Sequence, residues 1–133
     1  AYGKATGYLY VNAIDQPFNS GRDPKGYFSA YDPTTGELMW RQIYEGYGQA
    51  GPVITAGGIA WVGTGSNTAG YFYAFDAETG EELWKFNTGS GVFASPAVYV
   101  IDGQEYITVA SGGGSRGRRG GDLILTFALP DRK

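Results

Sequence analysis

The chain is 133 residues long, the size of one domain, with 10 basic and 13 acidic side chains and a net charge of -3, a balance that leaves no electrostatic footprint for nucleic acid. It has neither cysteine nor histidine, which excludes disulfides, thiolate nucleophiles, Ser-His and Cys-His pairs and His-ligated transition metals within this chain. Carboxylates, lysine, arginine, tyrosine and hydroxyls remain, and 23 glycines, 11 tyrosines and 16% aromatic residues describe short strands joined by tight turns.

No apolar run approaches the roughly 18 residues of a membrane span, and residues 1–30 lack the charged start and apolar stretch of a signal peptide. The first predicted strand is Tyr8-Leu9-Tyr10-Val11, followed by an irregular stretch, 12–26, whose Asp15 and Asp23 read as solvated loop charges rather than metal ligands. Tyr27–Tyr31 and Leu38–Ile43 are strands flanking Asp32-Pro33-Thr34-Thr35-Gly36, a hairpin turn in which the Asp side chain accepts from backbone N–H groups and glycine supplies positive φ. Pro52-Val53-Ile54-Thr55 and Ile59-Ala60-Trp61-Val62 flank Gly57-Gly58, a second hairpin signal. Tyr71–Phe75, the turn Asp76-Ala77-Glu78-Thr79-Gly80 and Leu83-Trp84-Lys85-Phe86 follow. Three more strands, Ser95–Val100, Tyr106–Ala110 and Leu123–Phe127, enclose a glycine- and arginine-rich loop at 111–121.

A repeat organises these elements. Gly26-Tyr27-Phe28-Ser29-Ala30-Tyr31-Asp32 returns as Gly70-Tyr71-Phe72-Tyr73-Ala74-Phe75-Asp76, Thr35-Gly36-Glu37 as Thr79-Gly80-Glu81, and Trp40 as Trp84, all at an offset of 44. A period of about 40–50 residues belongs to propeller blades or helical arrays, and four short antiparallel strands per unit decide for the blade. The expected fold is therefore all-β, with β-propeller blades of four antiparallel strands. About three blades are present: 1–46 lacking its first strand, 47–90 complete, and 91–133 lacking its last. Known propellers close with about four to eight blades. An arc of three would leave apolar faces and sheet edges in water, so more blades are expected from the same chain, another chain or further copies.

The pattern Ala-x-Asp-x-x-Thr-Gly-x-x-x-Trp, present at Ala30–Trp40 and Ala74–Trp84, resembles the tryptophan-docking motif of quinoprotein dehydrogenases that use pyrroloquinoline quinone (PQQ). Thr55-Ala56-Gly57-Gly58-Ile59-Ala60-Trp61-Val62-Gly63-Thr64 is similar to that family's TAGGLVF-x-GT stretch. Phe86-Asn87-Thr88-Gly89-Ser90-Gly91, Ser95-Pro96 and Gln104–Gly112 resemble its closing segments. The resemblance implies the C-terminal part of an eight-bladed, periplasmic alcohol dehydrogenase. Such an enzyme binds PQQ with a calcium or lanthanide ion and oxidises primary alcohols by hydride transfer to the quinone. A cytochrome c-type partner would take the electrons, and a fourth strand from the start of the longer chain would complete the last blade.

The family's catalytic Asp, its metal-binding Glu and Asn and its paired cysteines lie upstream of this region, so no catalytic residue or metal ligand is assigned here. The resemblance marks Gln49, Tyr71, Ser115 and Arg116 as cofactor neighbours, Arg116 as a partner for a quinone carboxylate. It assigns Trp40 and Trp84 to docking between blades. Tyr71 also reads as a packed strand aromatic, Asp32 and Asp76 as turn caps, and Arg116-Gly117-Arg118-Arg119 as a solvated loop. The tail reads Gly113-Gly114-Ser115-Arg116 where many relatives carry Trp. Two other readings stay open: a non-catalytic scaffold propeller, and a self-assembling blade protein.

Overall fold

The computed structural model describes residues 1–15, 24–66, 69–113 and 120–130. Among these, ten strands form three antiparallel sheets. The first holds β1 (Leu9–Asp15), β2 (Lys25–Tyr31) and β3 (Leu38–Glu45) in that order. The second is a complete four-stranded sheet of β4 (Val53–Ile54), β5 (Ile59–Gly65), β6 (Gly70–Asp76) and β7 (Glu82–Asn87). The third runs β10 (Leu123–Ala128), β9 (Gln104–Ser111), β8 (Ala97–Ile101). The strands are longer at several ends than the sequence pattern suggests; β1 continues to Asp15 because it pairs with β2 as far as Lys25.

Register makes the repeat three-dimensional. Ala30 pairs with Tyr10 on one side and Trp40 on the other, and Ala74 pairs with Trp61 and Trp84 in the same way. Both pairs of outer hairpins shift register at the residue after that alanine. The first sheet also keeps a trace of an opening strand. Tyr2 bridges to Leu9, and Ala1 and Tyr10 exchange backbone hydrogen bonds of 2.7 and 2.9 Å. Ala1 and Tyr2 thus stand to Tyr10 and Leu9 as Val53 and Ile54 stand to Trp61 and Ala60.

Because side chains alternate along a strand, each sheet offers two faces, and the middle sheet buries both. Tyr73 and Phe75 of β6 and Ala60 and Val62 of β5 pack against Tyr10, Phe28 and Tyr44 of the first sheet. Phe72 of β6, together with Trp61 of β5, packs the other way, against Ile107, Val109, Leu125 and Phe127 of the third. Phe28 and Phe72 are fully buried and occupy equivalent positions. Each such side chain contributes about 1.5–3 kcal/mol of burial.

The two ends of the sheets differ in chemistry. Tight turns occupy one rim, at 32–37, 55–58, 77–81 and 102–103. The opposite rim carries the connections 46–52 and 88–96, which pass from sheet to sheet, and the ends of β9 and β10, where Gly121 N donates to the Gly112 carbonyl. Loops held by a rigid scaffold are where binding groups concentrate.

Candidate functional site

At the tight-turn rim the structure forms a built joint between the first two sheets. Asp32 Oδ1 accepts from Thr34 N at 2.7 Å and from Thr34 Oγ1 at 2.6 Å. Asp76 Oδ1 accepts from Thr79 N at 2.8 Å and from Glu78 N at 3.0 Å. These bonds favour the charged carboxylates. The Thr34 hydroxyl, then its amide, lowers the Asp32 pKa; the Thr79 amide, then its hydroxyl, lowers that of Asp76. Both carboxylates cap their turns.

The turn at Asp76 receives the indole of Trp40. Trp40 Nε1 donates to the Ala77 carbonyl at 3.1 Å, and Gln42 Nε2 donates to the Gly80 carbonyl at 2.8 Å. The Trp40 ring lies so close to Gly80 that a Cβ there would stand 2.6 Å from Cδ2, and Gly80 has φ of 77°. Tyr10 OH donates to the same Ala77 carbonyl at 2.8 Å. Two side chains of one sheet therefore converge on one carbonyl of the next. The convergence with Tyr10 is not visible in the linear motif.

On the long-connection rim, the segment bearing Gln49 is fixed by residues that the sequence pattern does not mark. Asn12 Nδ2 donates to the Ala50 carbonyl at 2.8 Å, and the Tyr44 hydroxyl donates to Asn12 Oδ1. Burial pushes the Tyr44 phenol well above its usual range. Gly48 fits against the Ala13 carbonyl, 2.4 Å from where a Cβ would sit. Ala50 is buried beside Gln49, whose own side chain is exposed at the rim. The trace of this clamp in the sequence is the spacing of Gly46, Gly48, Ala50 and Gly51 around Tyr47 and Gln49.

Tyr71, the second residue of β6, lies near the same rim but faces the gap between the first and second sheets. It lines a cleft with Tyr44, Glu45, Tyr73, Glu82 and Lys85. The Lys85 ammonium lies 4.8 Å from the Tyr71 ring centre and 5.6 Å from that of Tyr73. Tyr73 stacks on Tyr44 with centroids 5.8 Å apart, and burial pushes its phenol up to about 12. Gln49 does not line this cleft. Ser115 and Arg116 lie outside the described residues, as do Asp23, Gly114, Arg118 and Arg119.

A hydroxyl knot ties the third sheet to the connection 88–96. Ser111 Oγ donates within 3.0 Å of the Thr88 and Ser90 carbonyls, and Ser90 Oγ lies 2.9 Å from the Ser111 carbonyl. Thr88, Ser90 and Ser111 are all buried. Gly70 and Gly121 close on Ser90 so tightly that neither position has room for a Cβ.

Among the described residues, no three His, Cys, Asp or Glu side chains gather as a metal site.

A family profile for the PQQ glucose/ethanol/alcohol dehydrogenase β-propeller domain matches residues 41–107. The chain belongs to this family. Its match to quinoprotein alcohol dehydrogenase PedE of Pseudomonas putida is 45% identical, over 92% of the chain and 19% of PedE. The solved quinohemoprotein alcohol dehydrogenase of Comamonas testosteroni superposes with a TM-score of 0.81 at 24% identity, covering 99% of this chain and 26% of that one. A europium-containing methanol dehydrogenase superposes with a TM-score of 0.67 at 27% identity, covering 85% and 24%. The chain therefore spans about a fifth of PedE and about a quarter of each solved relative. The fold is that of a partial quinoprotein propeller: all-β, with blades stacked face to face.

Proposed function

We propose that this chain is the C-terminal arc of a periplasmic, PQQ-dependent dehydrogenase that oxidises primary alcohols, with the remaining blades completing the ring. The observation that carries the reading is the family match across the middle of the chain, combined with a third sheet in which the described residues supply three strands and β10 lies at the edge. When bound, PQQ with a calcium or lanthanide ion supplies the acceptor for the alcohol's hydride. The proton-accepting carboxylate and the metal ligands come from blades outside this segment.

This chain's share is to wall the pocket and close the ring. Gln49, exposed on the long-connection rim beside Ala50, whose carbonyl Asn12 holds, is the first proposed contact. Ser115 and Arg116, in the connection from β9 to β10, are the second proposed contact, with the guanidinium pairing with a quinone carboxylate. Tyr71 is a more distant wall, its ring engaged by Lys85. A cytochrome c-type protein is the proposed electron acceptor.

Native mass spectrometry of the purified protein tests this reading. It predicts a particle several times the 14.2 kDa of this chain, with extra mass equal to PQQ plus one calcium or lanthanide ion. A large particle without that mass identifies a scaffold propeller and overturns the enzyme reading; a lone chain overturns both.

A further inference from the structure

The two junctions between sheets are built from equivalent residues, yet only the first has both of its side-chain donors satisfied. At the first, Tyr10, Phe28 and Trp40 form a ring cluster with centroid separations of 5.2–6.3 Å. At the second, the register equivalents Trp61, Phe72 and Trp84 form the same cluster, at 5.5–6.2 Å. The polar tips of Tyr10 and Trp40 both reach the Ala77 carbonyl. Trp61 Nε1, by contrast, is buried and has no hydrogen-bond partner among the described residues. A buried N–H without an acceptor is costly and rare.

Register locates the acceptor within this chain. Phe75 of β6 pairs with Ala60 and Asp76 with Ile59; Phe127 of β10 pairs with Ile107 and Ala128 with Tyr106. Phe75 packs into the first junction and Phe127 into the second, so Leu129 follows β10 as Ala77 follows β6. Ala77 is 1% exposed and is held by its own amide, which donates to the Gly58 carbonyl at 2.9 Å. The equivalent carbonyl, one residue before Tyr106, is that of Glu105. It accepts from Gln104 Nε2 at 3.0 Å, no bond from Leu129 N to it is formed, and Leu129 is 73% exposed. The last rung of the third sheet is unmade, and the Trp61 donor lacks its acceptor for the same reason.

We propose that Leu129–Pro130 is a strap that closes the second junction. On closure Leu129 N displaces the Gln104 side chain from the Glu105 carbonyl, and the β9–β10 ladder gains one rung. The Leu129 carbonyl then takes the place that the Ala77 carbonyl holds in the first junction and accepts from Trp61 Nε1, with Trp84 as its second donor. Pro130 favours this state, because a residue before proline is confined to the extended backbone that continues a strand. The bond from Trp84 follows the docking motif. The bond from Trp61, which has no place in that motif, is what the strap adds. The device acts within this chain and does not depend on further blades.

Indole N–H exchange in the full chain, followed by nitrogen-15 NMR with signals assigned by single Trp→Phe variants, tests the strap. The Trp61 indole should exchange about fivefold more slowly in the full chain than in one ending at Ala128, the worth of one net hydrogen bond, with Trp40 unchanged. Two substitutions separate a bond from simple cover by the Leu129 side chain. Leu129→Ala keeps the amide and the carbonyl and should keep the slow exchange. Leu129→Pro removes the amide that makes the rung and should lose it. Equal exchange in the full and shortened chains overturns the inference, as does loss of the slow exchange in L129A. Should L129P disturb β10, Gln104→Ala reads the same competition: it frees the Glu105 carbonyl and should slow Trp61 further, and an unchanged rate overturns the inference.

Discussion

The junction between the first two sheets and the one between the second and third start from the same sequence pattern and end in different states. β3 and β7 are related by the offset of 44, but Tyr44 of β3 is buried and Trp40 and Gln42 are half-buried, whereas every residue of β7 is exposed. The difference does not arise in β7 itself. It arises because the second sheet offers a turn and a fourth strand to the first, while among the described residues the third sheet meets β7 through the Phe127 ring, 5.2 Å from Trp84 and 5.1 Å from Phe86. A docking tryptophan is thus half of a joint. Its contribution is set by the turn it meets.

The largest effect expected from breaking this comparison comes from Trp40→Ala. It removes a packed indole and the bond to Ala77, and should cost about 3 kcal/mol, near the lower end for truncating a large aromatic. Trp84→Ala in the same chain should cost about half as much, read by urea denaturation. Near-equal losses would mean that the second junction is already closed.

A sharper probe uses two glycines in equivalent turns. Gly36 and Gly80 have φ of 75° and 77°, but a Cβ at Gly36 meets nothing within 4 Å, while one at Gly80 strikes the Trp40 ring. Both Ala variants share the left-handed backbone cost of about 1–2 kcal/mol. Gly80→Ala should exceed Gly36→Ala by about 1–3 kcal/mol of overpacking, and in W40A the gap should close.

The second junction has its own fastening at the other rim. Ser111→Ala removes the hydroxyl bound to Thr88 and Ser90 and should cost about 1–3 kcal/mol, loosening β9 and β10 more than β1–β3 in hydrogen exchange. Acid has the smallest effect. Asp32 and Asp76 titrate below their ordinary value of 3.8 in the folded chain. Their contribution is therefore full above that value and is lost as pH falls through the lowered folded values. Asp76→Asn should flatten the acid limb of a urea-midpoint profile without moving the neutral plateau.

Most of the fold was legible in the sequence because a repeat with aromatic strands and Asp-Thr-Gly turns fixes strand, turn and register together. Trp40 lies on the Gly80 turn of the second sheet, with its Nε1 on the Ala77 carbonyl. Trp84 has the same motif but not the same environment, since a linear pattern records the donor and not the presence of its acceptor. Trp61 and Tyr10 escaped notice because unlike side chains fill one structural position, and only register reveals their equivalence. Of the candidate site, Gln49 lies in the connection 46–52. The Asn12–Tyr44 clamp and the Lys85 ammonium over Tyr71 depend on packing between sheets, which no spacing rule encodes.

Amide hydrogen exchange of β10, compared between the 133-residue chain alone and the ring-complete protein, tests the central claim most directly. In the lone chain the Leu123–Ala128 amides that do not pair with β9 should exchange like an open edge. In the completed ring they should be protected to the level of β2 and β6, whose protection stays constant. Protection of β10 in the lone chain, or its continued exposure in the complete protein, would contradict the view that this arc waits for a closing strand.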